Sequence, residues 1–150
     1  MSPHWMQGLV ALALLSTGVV YGTDVFFALV ARTALRRTDE ASLTRVLGHL
    51  HAVADVRMPF VGAAALLSTA VLAASGWGTL PGGFALLALA GLLTQLIAYV
   101  RVAQPVNRAQ TAAAQQNIIP PDARALQTRW DSVIILRAGR LPWQCWRWSA

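Results

Sequence analysis

The sequence predicts an all-α integral membrane protein, a helical bundle with three full spans and a short fourth helix. Three observations carry that reading. Hydrophobic residues make up 56% of the 150-residue chain and charged residues only 12%, about half the charged share of an average soluble domain. No charged residue lies between Arg57 and Arg101, a stretch of 43 residues and about twice the roughly 20 that a membrane helix needs. A Gly/Pro-rich run, Gly76 to Gly83 (GWGTLPGG), divides that stretch and marks a connection between two spans. The length suits one bundle domain over residues 1–138 with an irregular tail over 139–150, too short for a separate catalytic module.

The first span is expected over Leu9 to Ala31. Met1 to Gly8 holds no Arg or Lys, and the run is longer than the roughly 7 to 15 apolar residues of a secretory signal, so it reads as a retained helix. The second span is expected from about Pro59 to Trp77, with Pro59 in its first turn, where a missing N–H costs nothing. The third runs from about Phe84 to Val102. Trp5 and Trp77 sit near span ends, as interfacial tryptophans do. Between spans one and two, Leu43, Val46, Leu47, Leu50, Val53 and Ala54 recur at helical spacing behind Thr38 and Asp39 as caps. This predicts an amphipathic helix over Ser42 to Arg57, lying at the membrane surface or across the bundle mouth. Arg57 projects onto its apolar side and is expected to point inward or to pair with an acid.

Pro105 is expected to end or kink the third span. Pro120 and Pro121 reset the chain, and Asp122 is the expected N-cap of a fourth helix through Ala138. That helix stops short of a span. The tail Leu141 to Ala150 (LPWQCWRWSA) has three tryptophans and no apolar run, and reads as a divergent or frameshifted end. The single Cys145 provides neither an internal disulfide nor a cysteine metal site.

The net charge of +6 comes from twelve arginines against six acids. Residues 32–57 hold five of the arginines and residues 101–150 the other seven, whereas the connection between spans two and three has none. The positive-inside rule then places the first loop and the region after the third span in the cytoplasm of a multi-pass plasma-membrane protein, with the N-terminus outside. The basic excess is thus a topology signal, and the expected partner is the lipid bilayer; no nucleic acid is expected.

Asp24 is an ionisable group inside a span, where such groups cost roughly 2.5 to 3.5 kcal/mol and face the bundle interior. It shares a face with Thr17 and Tyr21. It reads as a proton acceptor, a cation site or the partner of Arg57 or Arg101, or else as a structural ion pair about two turns from Arg32. In the third span Thr94, Gln95, Tyr99 and Arg101 form a polar stripe, opposite Ala64 and Ser68 of the second. Ser68, Thr94 and Gln95 suit interhelical glue, while Tyr99 and Arg101 lie at the depth of Asp24. His49 and His51 diverge by about 200° on a helix and do not share a metal ion. His51 and Asp55, one turn apart, have the spacing of a carboxylate-oriented imidazole, an arrangement suited to a general base. No Walker, G-x-S-x-G, H-E-x-x-H or Rossmann pattern occurs, and no metal is expected.

The HAVADVRMP segment (His51 to Pro59), the P-V-N-R box (Pro105 to Arg108) and the W-x6-R spacing (Trp130 to Arg137) resemble the small four-helix membrane proteins of the anthrone oxygenase-like family. Asn107, Trp130 and Arg137 match that family's pattern up to about Ala138. Ile134 stands where the family has His or Asn, and the fourth helix is shorter than its full span. The resemblance implies oxidation of a flat aromatic substrate by O2 with no cofactor. That chemistry needs a base, for which Asp24 and His51 are candidates, and an enolate partner among Arg57, Tyr99, Asn107 and Arg137, with Trp130 walling the slot. The residues read without it also admit a non-catalytic membrane accessory protein or a small proton-coupled exporter. An incomplete fourth span points to a homo-oligomer that covers the exposed stripe.

Overall fold

Three long helical rods and one shorter helix account for residues 3–138, the part of the chain described by the computed structural model. The first rod is α1 (His4–Phe26), a π-helical turn (Phe27–Ala31) and α2 (Arg32–Arg36). The second is α3 (Glu40–Ser75). The third is α4 (Leu80–Ala98), a second π-helical turn (Tyr99–Ala103) and α5 (Gln104–Gln115). The fourth helix is α6 (Ala123–Arg137). All three rods are long and apolar enough to cross a membrane. Large apolar side chains such as Leu14, Leu15, Leu67 and Leu87 project outward, as they do when lipid is the solvent.

Local chemistry explains the ends of the rods. Asp39 caps α3, its carboxylate accepting from the Ser42 N–H at 2.9 Å, and that bond holds its carboxyl below the ordinary value. Thr79 caps α4 by accepting from the Gly82 N–H at 3.2 Å while its hydroxyl donates to the Gly76 carbonyl at 2.6 Å. Gly78 sits at φ +78° in this connection, and Gly76 and Gly82 approach so closely that a side chain on either would strike the other's backbone. Asp122 occupies the N-cap position of α6, but its side chain makes no capping bond, contrary to expectation.

The expected surface helix is not a separate element. It runs unbroken through Pro59 into the second span, making α3 a rod of 36 residues, about 54 Å long at 1.5 Å per residue against a hydrocarbon core of about 30 Å. Proline is accommodated because only its own N–H is missing, so the Asp55 carbonyl loses one helical donor while the rest of the ladder continues. The third rod likewise passes Pro105 without ending. The turn before it widens to π geometry, with the Gln104 N–H donating to the Tyr99 carbonyl, which makes room for the ring.

The central rod is α3, which packs along α1 on one side and along α4 and α5 on the other. The approach of α3 to α5 depends on Gly48. A Cβ there would collide with the Ala114 side chain and the Gln110 carbonyl, and the Thr111 hydroxyl donates to the Gly48 carbonyl at 3.1 Å. On the other side of the bundle, α6 lies against both π turns. Between them a small apolar core forms from Ala103, Val106, Trp130 and Ile134, flanked by Phe27 and Leu126.

Replacing Gly48 by Ala is therefore expected to lower stability by about 1–3 kcal/mol through overpacking, read as a drop in the thermal unfolding midpoint in detergent. Gly62→Ala, in the same helix with nothing within 4 Å of an added Cβ, is the control and should not lower it.

Candidate functional site

Three helices and a π turn bring polar side chains together where α3, α5 and α6 meet Tyr99–Ala103. Asp55 accepts from the Tyr99 hydroxyl at 2.9 Å and from the Asn107 amide at 2.8 Å, both through Oδ1. Asn107 in turn accepts from the Trp130 indole N–H at 3.0 Å. The Trp130 ring packs edge-on against Phe27 with centroids 5.0 Å apart, and lies 5.5 Å from the His51 ring. His51 is buried, 3% exposed, and neither ring nitrogen has a hydrogen-bond partner.

A second chain of side chains runs from His51 to the α1 rod. Gln110 lies beside the imidazole and donates to Gln127 Oε1 at 3.3 Å. Gln127 donates to Asp131 Oδ1 at 2.8 Å, and Arg32 Nε lies 3.3 Å from Asp131 Oδ2. Burial pushes the Asp131 carboxyl above its ordinary value, against the opposing pull of Gln127 and of Arg32 and Arg36. One helical turn before Gln127, Arg124 binds the Leu35 and Thr38 carbonyls at the end of the first rod.

Near its other end α6 carries Arg137, whose guanidinium lies 3.1 Å from Asp24 in a buried ion pair. Asp24 Oδ2 and Arg137 Nε have no hydrogen-bond partner. The last carbonyls of α6 are met from neighbouring helices: Gln95 donates to the Arg137 carbonyl at 3.2 Å and the Tyr21 hydroxyl to the Ala138 carbonyl at 3.3 Å. Beside them a cleft of about 300 Å³ opens between α1, α4 and α6, lined by Tyr21, Gly91, Thr94, Gln95, Ala98, Leu136 and Arg137.

Of the residues expected at a site, His51, Tyr99, Asn107 and Trp130 fall in one cluster, and Asp24 and Arg137 form a second. Both clusters are served by one face of α6, because Trp130, Ile134 and Arg137 follow one another at i, i+4 and i+7. Ile134, at the position where a polar residue was expected, is 2% exposed in the apolar core between them.

Several expectations are corrected. Arg57 is exposed and makes no ion pair among the described residues. It stands two residues after Asp55, about 200° around the helix, beside the outward-facing Val53, Val56 and Phe60. Arg101 is exposed as well, so the partner of Asp24 is Arg137, contributed from a distant part of the chain. Asp55 does not orient His51 by a hydrogen bond; Tyr99 and Asn107 bind its Oδ1 instead. Ser68 and Thr94 do not join helices, since each hydroxyl donates to a carbonyl four residues back on its own helix. Of the three expected glue residues only Gln95 reaches across. His49, as its spacing from His51 predicts, is exposed on the opposite flank. The tail from Gly139, including Cys145, lies outside the described residues.

Sequence reasoning passed over Gln110 and Gln127. Their signal was present: Asn107, Gln110 and Ala114 recur at helical spacing, as do Gln127, Trp130, Asp131 and Ile134, so the amides share a face with residues already singled out.

No protein-family model, no curated protein and no solved structure matches the chain.

Two outcomes follow from this geometry. Asp24→Asn strands a buried guanidinium and should cost about 3–5 kcal/mol, while Asp24→Leu combined with Arg137→Met restores most of it; a double-mutant cycle of unfolding in detergent measures both. For Asp131 the folded state holds its proton more tightly than the unfolded chain does. Its contribution is full below the ordinary carboxylate pKa and is lost as pH rises through the raised folded value. Asp131→Asn should flatten that part of the stability–pH curve.

Proposed function

We propose that this chain is a membrane oxidoreductase of the anthrone oxygenase type, in which His51 removes a proton from a flat aromatic substrate that then reacts with O2. One observation carries the choice of base. Among the buried or half-buried ionisable side chains, Asp24 is held by Arg137, Asp55 by Tyr99 and Asn107, and Asp131 by Gln127 and Arg32, whereas both nitrogens of His51 are unpartnered. A general base needs a lone pair that nothing else holds. Asp24, the other base candidate, serves as the counter-ion that keeps Arg137 charged and positioned.

The cleft between α1, α4 and α6 supports a lateral approach from the bilayer to Arg137; His51 is not among its lining residues. Its volume is at the lower limit of the roughly 300–1,000 Å³ of small-molecule sites, and its wall is apolar except for Tyr21, Thr94, Gln95 and Arg137. Arg137 supplies the positive charge against which a phenolic or enolate oxygen is stabilised.

In the reaction, His51 takes a proton from the methylene carbon of an anthrone-type tricycle, and the C–H electron pair moves into the ring system as an enolate. The enolate passes one electron to O2. The resulting radical and superoxide combine in a C–O bond, and the peroxide accepts the proton from the imidazolium. Loss of the carbon's second hydrogen to His51 breaks the O–O bond and expels hydroxide, leaving a carbonyl. Hydroxide and the imidazolium proton form water. Substrate CH2 and O2 thus become C=O and H2O.

The arginines of residues 32–57 and of residues 101–137 flank the same end of the bundle, which supports a cytoplasmic location for the His51 cluster in a plasma-membrane protein.

A second reading is favoured by the cross-helix bonds of Tyr99, Asn107, Trp130 and Gln95: a non-catalytic accessory protein whose polar groups only fasten helices. Oxygen uptake by the purified protein with an anthrone as substrate decides between the two. The oxygenase reading expects substrate-dependent uptake that falls about 10²–10⁴-fold in His51→Gln, the usual contribution of a general base. No uptake by the wild type, or equal uptake by His51→Gln, overturns it.

A further inference from the structure

We infer that Gln110, Gln127 and Asp131 form an oriented amide chain that holds His51 in one neutral tautomer, with N–H toward Gln110 and the other ring nitrogen bare. The argument starts at the far end. In its carboxylate form Asp131 has no proton to give, and its Oδ2 is ion-paired with the Arg32 guanidinium at 3.3 Å, so neither oxygen can donate. Gln127 must therefore turn its NH2 toward Asp131, as it does at 2.8 Å. Its carbonyl oxygen is left facing Gln110, which has to donate to it, at 3.3 Å.

That leaves Gln110 Oε1, a pure acceptor, buried, with no other partner and next to a ring whose two nitrogens are equally buried and unpartnered. A ring nitrogen facing an amide oxygen is favourable only when it carries the hydrogen. The other nitrogen of a neutral imidazole is then unprotonated. Each amide passes on the polarity that it receives, so a sign set by Arg32 and Asp131 at the edge of the bundle is read three side chains away. Gly48 permits the chain, because α5 approaches α3 at Gln110 only where α3 lacks a Cβ.

Gln110, Gln127 and Asp131 are on this view positioning residues. Their effect on turnover rests on His51 being the base proposed above; the tautomer does not, and it is measured separately. The chain has three histidines, His4, His49 and His51. In the full-length protein labelled with ¹⁵N-histidine, in detergent at neutral pH, the His51 ring signals are those missing from His51→Gln. The wild type should show one protonated and one bare ring nitrogen.

Asp131→Asn can donate or accept, and should give a mixture of tautomers. Gln110→Leu removes the acceptor and should do the same. The double variant Gln127→Glu, Asp131→Asn moves the obligate acceptor one link along, keeps Gln110 donating to it, and should restore the single tautomer. In the oxygen-uptake assay the double variant should keep near wild-type turnover while Asp131→Asn loses several-fold. Mixed tautomers in the wild type overturn the inference, as does an unchanged single tautomer in both Asp131→Asn and Gln110→Leu. The expected tautomer pattern in a protein that consumes no O2 upholds the amide chain and removes only the oxygenase reading.

Discussion

A helix that ends against the apolar part of a bundle has to find partners for its last carbonyls, since lipid supplies none. In this protein that requirement falls on α6, and much of the architecture answers it. Gln95 and Tyr21 reach from two different rods to its terminal carbonyls. Asp24 neutralises the arginine that it carries at the same level. At the other end Arg124 ties it to the carbonyls that close the first rod, and between them Trp130 and Asp131 are bound by Asn107 and Arg32. Fastened along its whole length, α6 presents one face to both polar clusters.

The same fastening explains why the rods deviate where they do. Both π turns lie against α6, and a π turn rotates the side chains that follow it relative to those before. In the third rod the deviation has a covalent cause in Pro105, and it brings Tyr99 and Asn107 onto the same Asp55 oxygen. In the first rod no proline is present, and the turn Phe27–Ala31 accompanies the packing of Phe27 on Trp130. Proline and aromatic packing thus reach similar geometry by different means, on either side of one helix.

Inside such a bundle a hydrogen bond is a constraint on direction as well as a contribution to stability. Carboxylates accept and guanidinium groups donate, but amides, hydroxyls and imidazoles take whichever role their neighbours leave open. A few charged residues at the edge can therefore set the orientation of neutral groups in the interior without approaching them. The contrast between Asp55, whose oxygen is held by two donors, and His51, with no bond of its own, shows how unevenly a polar core can be satisfied.

Composition and charge position determined the class of this protein. The uncharged stretch after Arg57, its interruption at Gly76 to Gly83 and the apolar run ending at Ala31 are enough for three spans, because length and hydropathy act locally and need no partner. The Asp39 cap was legible for the same reason, as its carboxylate binds an N–H only three residues on. Asp24 stood out as the one acid inside an apolar run and His51 by its spacing to Asp55, whereas Asn107, Trp130 and Arg137 were singled out through the family resemblance. Who pairs with whom was decided only by tertiary structure. Asp24 had nearby arginines to choose from and took Arg137, Asp55 was bound by Tyr99 and Asn107 rather than by His51, and Arg57 faced outward from a helix that Pro59 failed to break. Periodicity says which residues share a face. Which other helix that face meets depends on close approaches such as Gly48 against α5, where a glycine permits the contact but packing between distant segments decides which helix fills it.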